Sequence, residues 1–146
     1  MSDRLSSENL HATSVALGGR AVLLLGPSGS GKSDLALRLL DRGFALVSDD
    51  RTLVRREGQR LIASAPETIR GKLEVRGIGI VGVEPAGDAP VALAVELGAP
   101  GERLPDDSRT RSFCGVAVPL VTIDPATASA AAKVALALDQ FGLIFD

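Results

Sequence analysis

The residues Gly26–Ser33 (GPSGSGKS) fit the pattern G-x-x-x-x-G-K-[ST] at every fixed position. That spacing suits one kind of chemistry. Gly26, Gly29 and Gly31 let the backbone curl so that its N–H groups point inward, where they bind phosphate oxygens at a helix N-terminus. Pro27, Ser28 and Ser30 complete the curl, Lys32 adds a point charge for the β- and γ-phosphates, and Ser33 offers a hydroxyl to Mg²⁺. The stretch is a candidate site for a nucleoside triphosphate.

Other residues could act beside it. Asp49 and Asp50 are adjacent carboxylates: one can accept a proton from an attacking hydroxyl while the other holds water or metal. A solvated turn is the plainer reading of the same pair. Glu74 and Arg76, two residues apart in LEVRGIGIVGV (Leu73–Val83), could offer a metal ligand and a phosphate contact from one strand face, or simply mark an exposed sheet edge. His11, the single histidine, lies one hairpin upstream of the glycine-rich loop, in catalytic reach or merely structural. Arg103, Arg109 and Arg111 fall in a Pro- and Gly-containing stretch, where a loop arginine could cover charge on a moving phosphoryl group.

These residues need elements to place them. Arg20–Leu25 (RAVLLL) reads as a buried strand, and Ser33–Arg42 as a helix with Leu35 and Leu39 on one face and Gly43 as its stop. Strand, glycine-rich turn and helix form the context that the motif requires. Leu10–Leu17 reads as a strand hairpinned to Arg20–Leu25 through Gly18-Gly19. After the helix, Ala45–Val47 is a short buried strand that delivers Asp49 and Asp50 to the nucleotide crevice. Thr52–Arg56 and Arg60–Ala63 flank a turn, with one helical turn through Ile69 to follow. Val91–Leu97 and Gly115–Ile123 are further strands, the latter an edge or bent strand because it contains Pro119. A final helix is expected over Ala128–Phe141, ended by Gly142. Met1–Glu8 reads as a loose tail and Gly98–Ser112 as a long exposed loop.

The chain has 146 residues, room for one domain. Its net charge of −2 gives no basic field for nucleic acid or anionic lipid, and four Phe without Trp or Tyr make a poor base-stacking platform. No nucleic acid and no membrane are expected as partners. The one cysteine, Cys114, fits a reducing compartment and reads as a small buried residue. MSDRLSSENL is polar where a signal peptide needs an apolar segment, so a cytoplasmic location is expected.

Taken in order, His11, GPSGSGKS, LVSDD (Leu46–Asp50) and LEVRGIGIV (Leu73–Val81) closely resemble one family, the bacterial HPr kinase/phosphorylase, in its short form of catalytic C-terminal domain alone. The most specific piece is LEVRGIGIV, and together they span about half of the chain. The resemblance implies an α/β fold: a single P-loop kinase domain with a mixed central sheet, flanking β-hairpins and a C-terminal helix, as in HPr kinase and phosphoenolpyruvate carboxykinase. It implies transfer of phosphate from ATP to a serine of the phosphocarrier HPr or its nitrogen-branch homologue. Asp50 would be base in that direction and acid in reverse, supported by Asp49 and His11. Lys32 would hold phosphate, Ser33 and Glu74 would hold Mg²⁺, and Arg103, in ERLP, would be the catalytic arginine in preference to Arg109 and Arg111. A homo-oligomer is implied as well. The terminal helix and the long loop are expected in the surface that meets the phosphocarrier, because the phosphate loop itself cannot discriminate one serine from another.

One stretch departs from the family. Where many members carry a basic, glycine-containing segment linked to dephosphorylation, this chain reads IDPATA (Ile123–Ala128), with no arginine. Weak or altered phosphorylase activity is therefore expected. Two rival functions are a small-molecule P-loop kinase, which lacks support from an arginine-rich helical lid, and a nucleotide-sensing module. An N-K-x-D guanine-recognition motif is absent.

Overall fold

Both sides of strand β3 (Arg20–Leu25) are buried, and the fold is built outward from it. The computed structural model describes residues 6–99 and 109–146. Along β3 the side chains alternate: Val22 and Leu24 face one core, Ala21, Leu23 and Leu25 the other. A strand buried on both faces needs an uninterrupted apolar run, which RAVLLL supplies. Each fully buried Leu contributes roughly 1.5–3 kcal/mol.

β3 pairs antiparallel with β2 (Ala12–Leu17) and parallel with β9 (Ala89–Leu97). Beyond β2 lies β4 (Ala45–Ser48). On the other side β9 meets β6 (Arg60–Ser64), which pairs with β5 (Thr52–Glu57), and β5 with β1 (Ser7–Leu10). β9 also pairs parallel with β11 (Val116–Ile123), and β11 antiparallel with β10 (Thr110–Phe113). The result is the expected mixed sheet, nine-stranded and curled around two cores. A separate hairpin, β7 (Lys72–Val75) and β8 (Gly79–Gly82), is fastened by Leu73, which is buried in the core shared by Leu35, Leu39 and Leu46.

Helix α1 (Lys32–Leu40) and helix α2 (Ala130–Phe141) cover one face. In α2, Ala130, Ala131, Val134, Ala137 and Leu138 are buried, and Gly142 is the C-cap. Arg20 then anchors the following segment by donating to the carbonyl of Leu143 (3.1 Å), while the Leu143 N–H donates to Ala92 O (2.9 Å).

Several boundaries differ from the sequence reading. Thr110–Ser112, assigned to the long exposed loop, belong to β10 and pair with Pro119, Val118 and Ala117 of β11. Ser7 and Glu8, assigned to a loose tail, belong to β1 and pair with Arg55 and Val54. His11 stands in a bend between β1 and β2 rather than inside a strand. The terminal helix starts at Ala130, because residues 125–129 turn first, with Ala126 N–H donating to the Asp124 carboxylate (2.9 Å).

Candidate active site

The glycine-rich loop leaves the end of β3 and runs into α1. Gly29 (φ 83) and Gly31 (φ 100) are both left-handed, a conformation that L side chains rarely adopt. Gly31 is the N-cap of α1, and no side chain caps that end. The first helical bond runs from Leu35 N–H to Gly31 O (2.9 Å). The N–H groups of Lys32, Ser33 and Asp34 therefore have no acceptor within the helix, and the helix dipole reinforces their attraction for an anion. Lys32 is buried, its ammonium donating to Gly26 O (2.7 Å) and Pro27 O (3.1 Å), so its charge stays over the loop.

Facing the loop across a cleft of about 900 Å³ are Asp50 and the β7–β8 hairpin. The lining comprises loop residues Ser28, Gly29 and Gly31, the start of α1 from Lys32 to Asp34, and Glu74 to Gly79 opposite. Burial of Leu73 turns Glu74 outward by strand alternation, which brings its carboxylate to the cleft. Arg76 follows in the turn and lines the same cleft.

Asp49 and Asp50, adjacent in sequence, occupy opposite environments. Asp49 is buried and its carboxylate accepts three hydrogen bonds: Oδ1 from Ser33 Oγ (2.6 Å) and Thr13 Oγ1 (3.0 Å), Oδ2 from the Glu74 N–H (3.0 Å). It ties the P-loop helix, β2 and β7 together. Asp50 is exposed, lines the cleft and has φ 69. A left-handed non-glycine residue costs roughly 1–3 kcal/mol, least for Asp and Asn. The Asp50 N–H donates to Thr13 Oγ1 (3.0 Å), which helps hold this conformation. Asp50 is thus free to meet a substrate while Asp49 is committed to the scaffold.

Among the described residues, the buried polar side chains are Thr13, Ser14, Lys32, Ser48, Asp49 and Thr52. Their hydroxyls form a layer beneath the site. Ser14 donates to Thr52 Oγ1 (2.8 Å), Thr52 to Ala12 O (2.9 Å), and Ser48 to Arg51 O. None was singled out from sequence apart from the lysine and aspartate. Thr13, Ser14 and Thr52 carry no signal of their own until their partners, 36 to 40 residues away, are known.

The expected site residues divide as follows. Gly29, Gly31, Lys32, Ser33, Asp50 and Glu74 meet at one cleft, with Asp49 directly behind it. The β2–β3 register pairs Ala12 with Leu25, which sets His11 next to Gly26 at the loop's edge; it is exposed and is not part of the cleft lining. Arg109 donates to Thr122 Oγ1 (3.3 Å), and Arg111 is exposed on β10; neither lines the cleft. Arg103 lies outside the described residues.

The arrangement fits a nucleoside triphosphate with Mg²⁺. The loop is an anion cradle with open space beside Gly29. Among the described residues no cluster of three or more His, Cys, Asp and Glu forms a ready-made metal cage. Magnesium sites beside phosphates need no such cage, because one or two protein ligands suffice when the phosphates complete the shell. Ser33 and Glu74 are oxygen donors of that kind.

A family model described as HPr Serine kinase C-terminal domain matches residues 3–138. The HPr kinase/phosphorylase of Limosilactobacillus reuteri (strain DSM 20016) is 36% identical over 129 residues, which is 80% of this chain and 40% of that protein. That of Chlorobium phaeobacteroides (strain BS1) is 38% identical over 135 residues, 83% of this chain and 40% of its own. The chain therefore spans about 40% of the length of these curated relatives. Among solved structures, the HPr(Ser) kinase/phosphatase from Coxiella burnetii superposes with a TM-score of 0.77 at 28% identity, covering 90% of this chain and 94% of that one. Among the described residues, no helix is long and apolar enough to cross a membrane.

Proposed function

The chain belongs to the HPr serine kinase C-terminal domain family, and from that premise we propose that it transfers the γ-phosphoryl group of ATP to a serine of an HPr-type phosphocarrier protein. One observation carries this reading: the exposed carboxylate of Asp50 lines the same cleft as Lys32, Ser33 and Glu74. A base, a phosphate-binding lysine and two hard oxygen donors are the parts that such a transfer needs.

The loop amides and Lys32 hold the phosphates of ATP. Ser33 and Glu74 would hold Mg²⁺, which when bound neutralises charge on the phosphate oxygens. Asp50 accepts the proton of the attacking serine hydroxyl as the new oxygen–phosphorus bond forms, and the bond from the γ-phosphorus to its bridging oxygen breaks, releasing ADP. Asp49 keeps Ser33 and β7 in place behind the reacting groups. His11, beside Gly26, would support Asp50, and a loop arginine, Arg103 by family resemblance, would cover the developing charge.

The reverse reaction is proposed to be weak. Residues 123–128 turn past the P-loop, with Pro125 in van der Waals range of the space beside Gly31. Their carbonyls at Pro125 and Thr127 accept from Arg38 of α1 (2.7 and 3.2 Å), and the segment brings no cation of its own toward the phosphates.

The test is transfer of labelled phosphate from ATP to purified HPr-type phosphocarrier by the native protein and by Asp50→Asn. Acid-stable label on a serine, absent with the variant, supports the proposal. Absence of label from the native protein while ATP still binds would favour a small-molecule kinase or a nucleotide sensor. Rapid release of that label by orthophosphate would overturn the weak reverse reaction.

A further inference from the structure

We infer that Thr13 is a positioning residue, whose hydroxyl assigns the two neighbouring carboxylates their separate tasks. Thr13 is wholly buried in β2, opposite Leu24 of the strand that launches the P-loop. Its single hydroxyl proton is donated to Asp49 Oδ1 (3.0 Å), and its oxygen accepts the backbone N–H of Asp50 (3.0 Å). One atom thus grips the side chain of the inner aspartate and the main chain of the outer one.

The consequence follows from the backbone at Asp50. Consecutive residues in an extended strand point to opposite faces, so either aspartate could face the cleft after a small slip of the chain. β4 ends at Ser48, and two residues on the φ of 69 at Asp50 takes the chain out of the extended course, with Asp50 in the cleft lining. Such a conformation persists where the surroundings determine it. The hydrogen bond to Thr13 is the side-chain restraint on the Asp50 amide. Its donor role leaves Asp49 turned inward on Ser33 and β7.

Packing alone does not require a hydroxyl here. Thr13 sits on the face of β2 that carries Val15, opposite Leu24 of β3, and both are wholly buried. A valine has the same branched shape and a better strand preference. What threonine adds is the hydrogen-bonding atom.

The catalytic half of this inference rests on the kinase reading; the structural half does not. Thr13→Val and Thr13→Ser are compared with the native protein in two measurements. Amide hydrogen exchange read at Asp50, without substrate, should be about tenfold faster in Thr13→Val and near native in Thr13→Ser. In phosphoryl transfer to HPr-type phosphocarrier, kcat should fall roughly 10- to 100-fold in Thr13→Val with KM for ATP little changed, and Thr13→Ser should recover most of it. Native exchange at Asp50 in Thr13→Val, or equal losses in both variants, would overturn the inference. Thr13→Ala takes the place of Thr13→Val if the latter does not fold. Should the native protein transfer nothing, the kinase reading falls, while exchange at Asp50 still decides the role of Thr13.

Discussion

Ser33 Oγ, in the first turn of α1, donates to Oδ1 of Asp49, just past β4, across 2.6 Å. This bond joins the phosphate loop to the strand on the far side of β2, and the same carboxylate reaches the backbone of Glu74. The serine proposed to hold metal, the hairpin that brings Glu74, and the turn that presents Asp50 are thereby referenced to one buried group. Removing charge from either aspartate should then have different effects.

Asp49→Asn should destabilise the fold, and Asp50→Asn should not. An amide at position 49 must turn its NH₂ toward at least one of three donors, which leaves an unmet buried group worth about 1–3 kcal/mol. Asp50 is exposed, and Asn tolerates its left-handed backbone, so the change there should stay within about 0.5 kcal/mol. Urea unfolding of both variants checks this; equal midpoints would sink the division between scaffold and cleft.

Glu74→Gln should separate metal use from folding. The structural bond at this position is made by the backbone N–H, which the substitution keeps, while the carboxylate faces the cleft. The unfolding midpoint should hold, and the Mg²⁺ concentration for half-maximal transfer should rise by about tenfold or more. A magnesium titration at fixed ATP measures it. An unchanged requirement removes Glu74 from the metal site.

The parts of this molecule legible in its sequence are those set by neighbours along the chain. RAVLLL, the glycine-rich loop and the start of α1 declare themselves because strand, turn and helix preferences act over a few residues, and the observed β3 has the expected ends. Glu74 reaches the cleft by local alternation, whereas Arg76 comes to it from the β7–β8 turn and not from the expected strand face. The split between Asp49 and Asp50 rests on a positive φ and on Thr13, 36 residues away, and neither is encoded locally. Ser7 and Glu8 look like a tail until β5 is present to pair with them. Ala128 and Ser129 read as the start of the last helix, yet Arg38 holds the carbonyls of Pro125 and Thr127, and the helix begins only at Ala130.

Lys32→Met should weaken ATP binding while sparing the fold. The methionine keeps an unbranched stem in the buried channel that Lys32 occupies, and the carbonyls of Gly26 and Pro27 lie in a loop open to water. Loss of a charged donor to phosphate should reduce affinity by roughly 10- to 100-fold. Calorimetric titration with a non-hydrolysable ATP analogue tests this; native affinity would show that the loop amides alone hold the phosphates.

Cys114 should behave as a protected thiol. It is buried, with φ 52, and burial pushes its thiol pKa up; the negative charge of Glu8 adds to the effect and Arg56 opposes it. The neutral, protonated form is the one the fold favours. With the folded pKa above the unfolded one, the stabilisation is complete below the ordinary thiol value of about 8.5 and is lost as pH rises through the folded pKa. Native protein should therefore lose more stability than Cys114→Ala between about pH 7.5 and pH 10, since lysines and other groups titrate alike in both. Reaction with a disulfide reagent should be slow at neutral pH and quicken in urea. Fast labelling of the folded protein at neutral pH, or parallel stability curves for the two proteins, would show that the thiol is reachable and that its burial does not favour the protonated form.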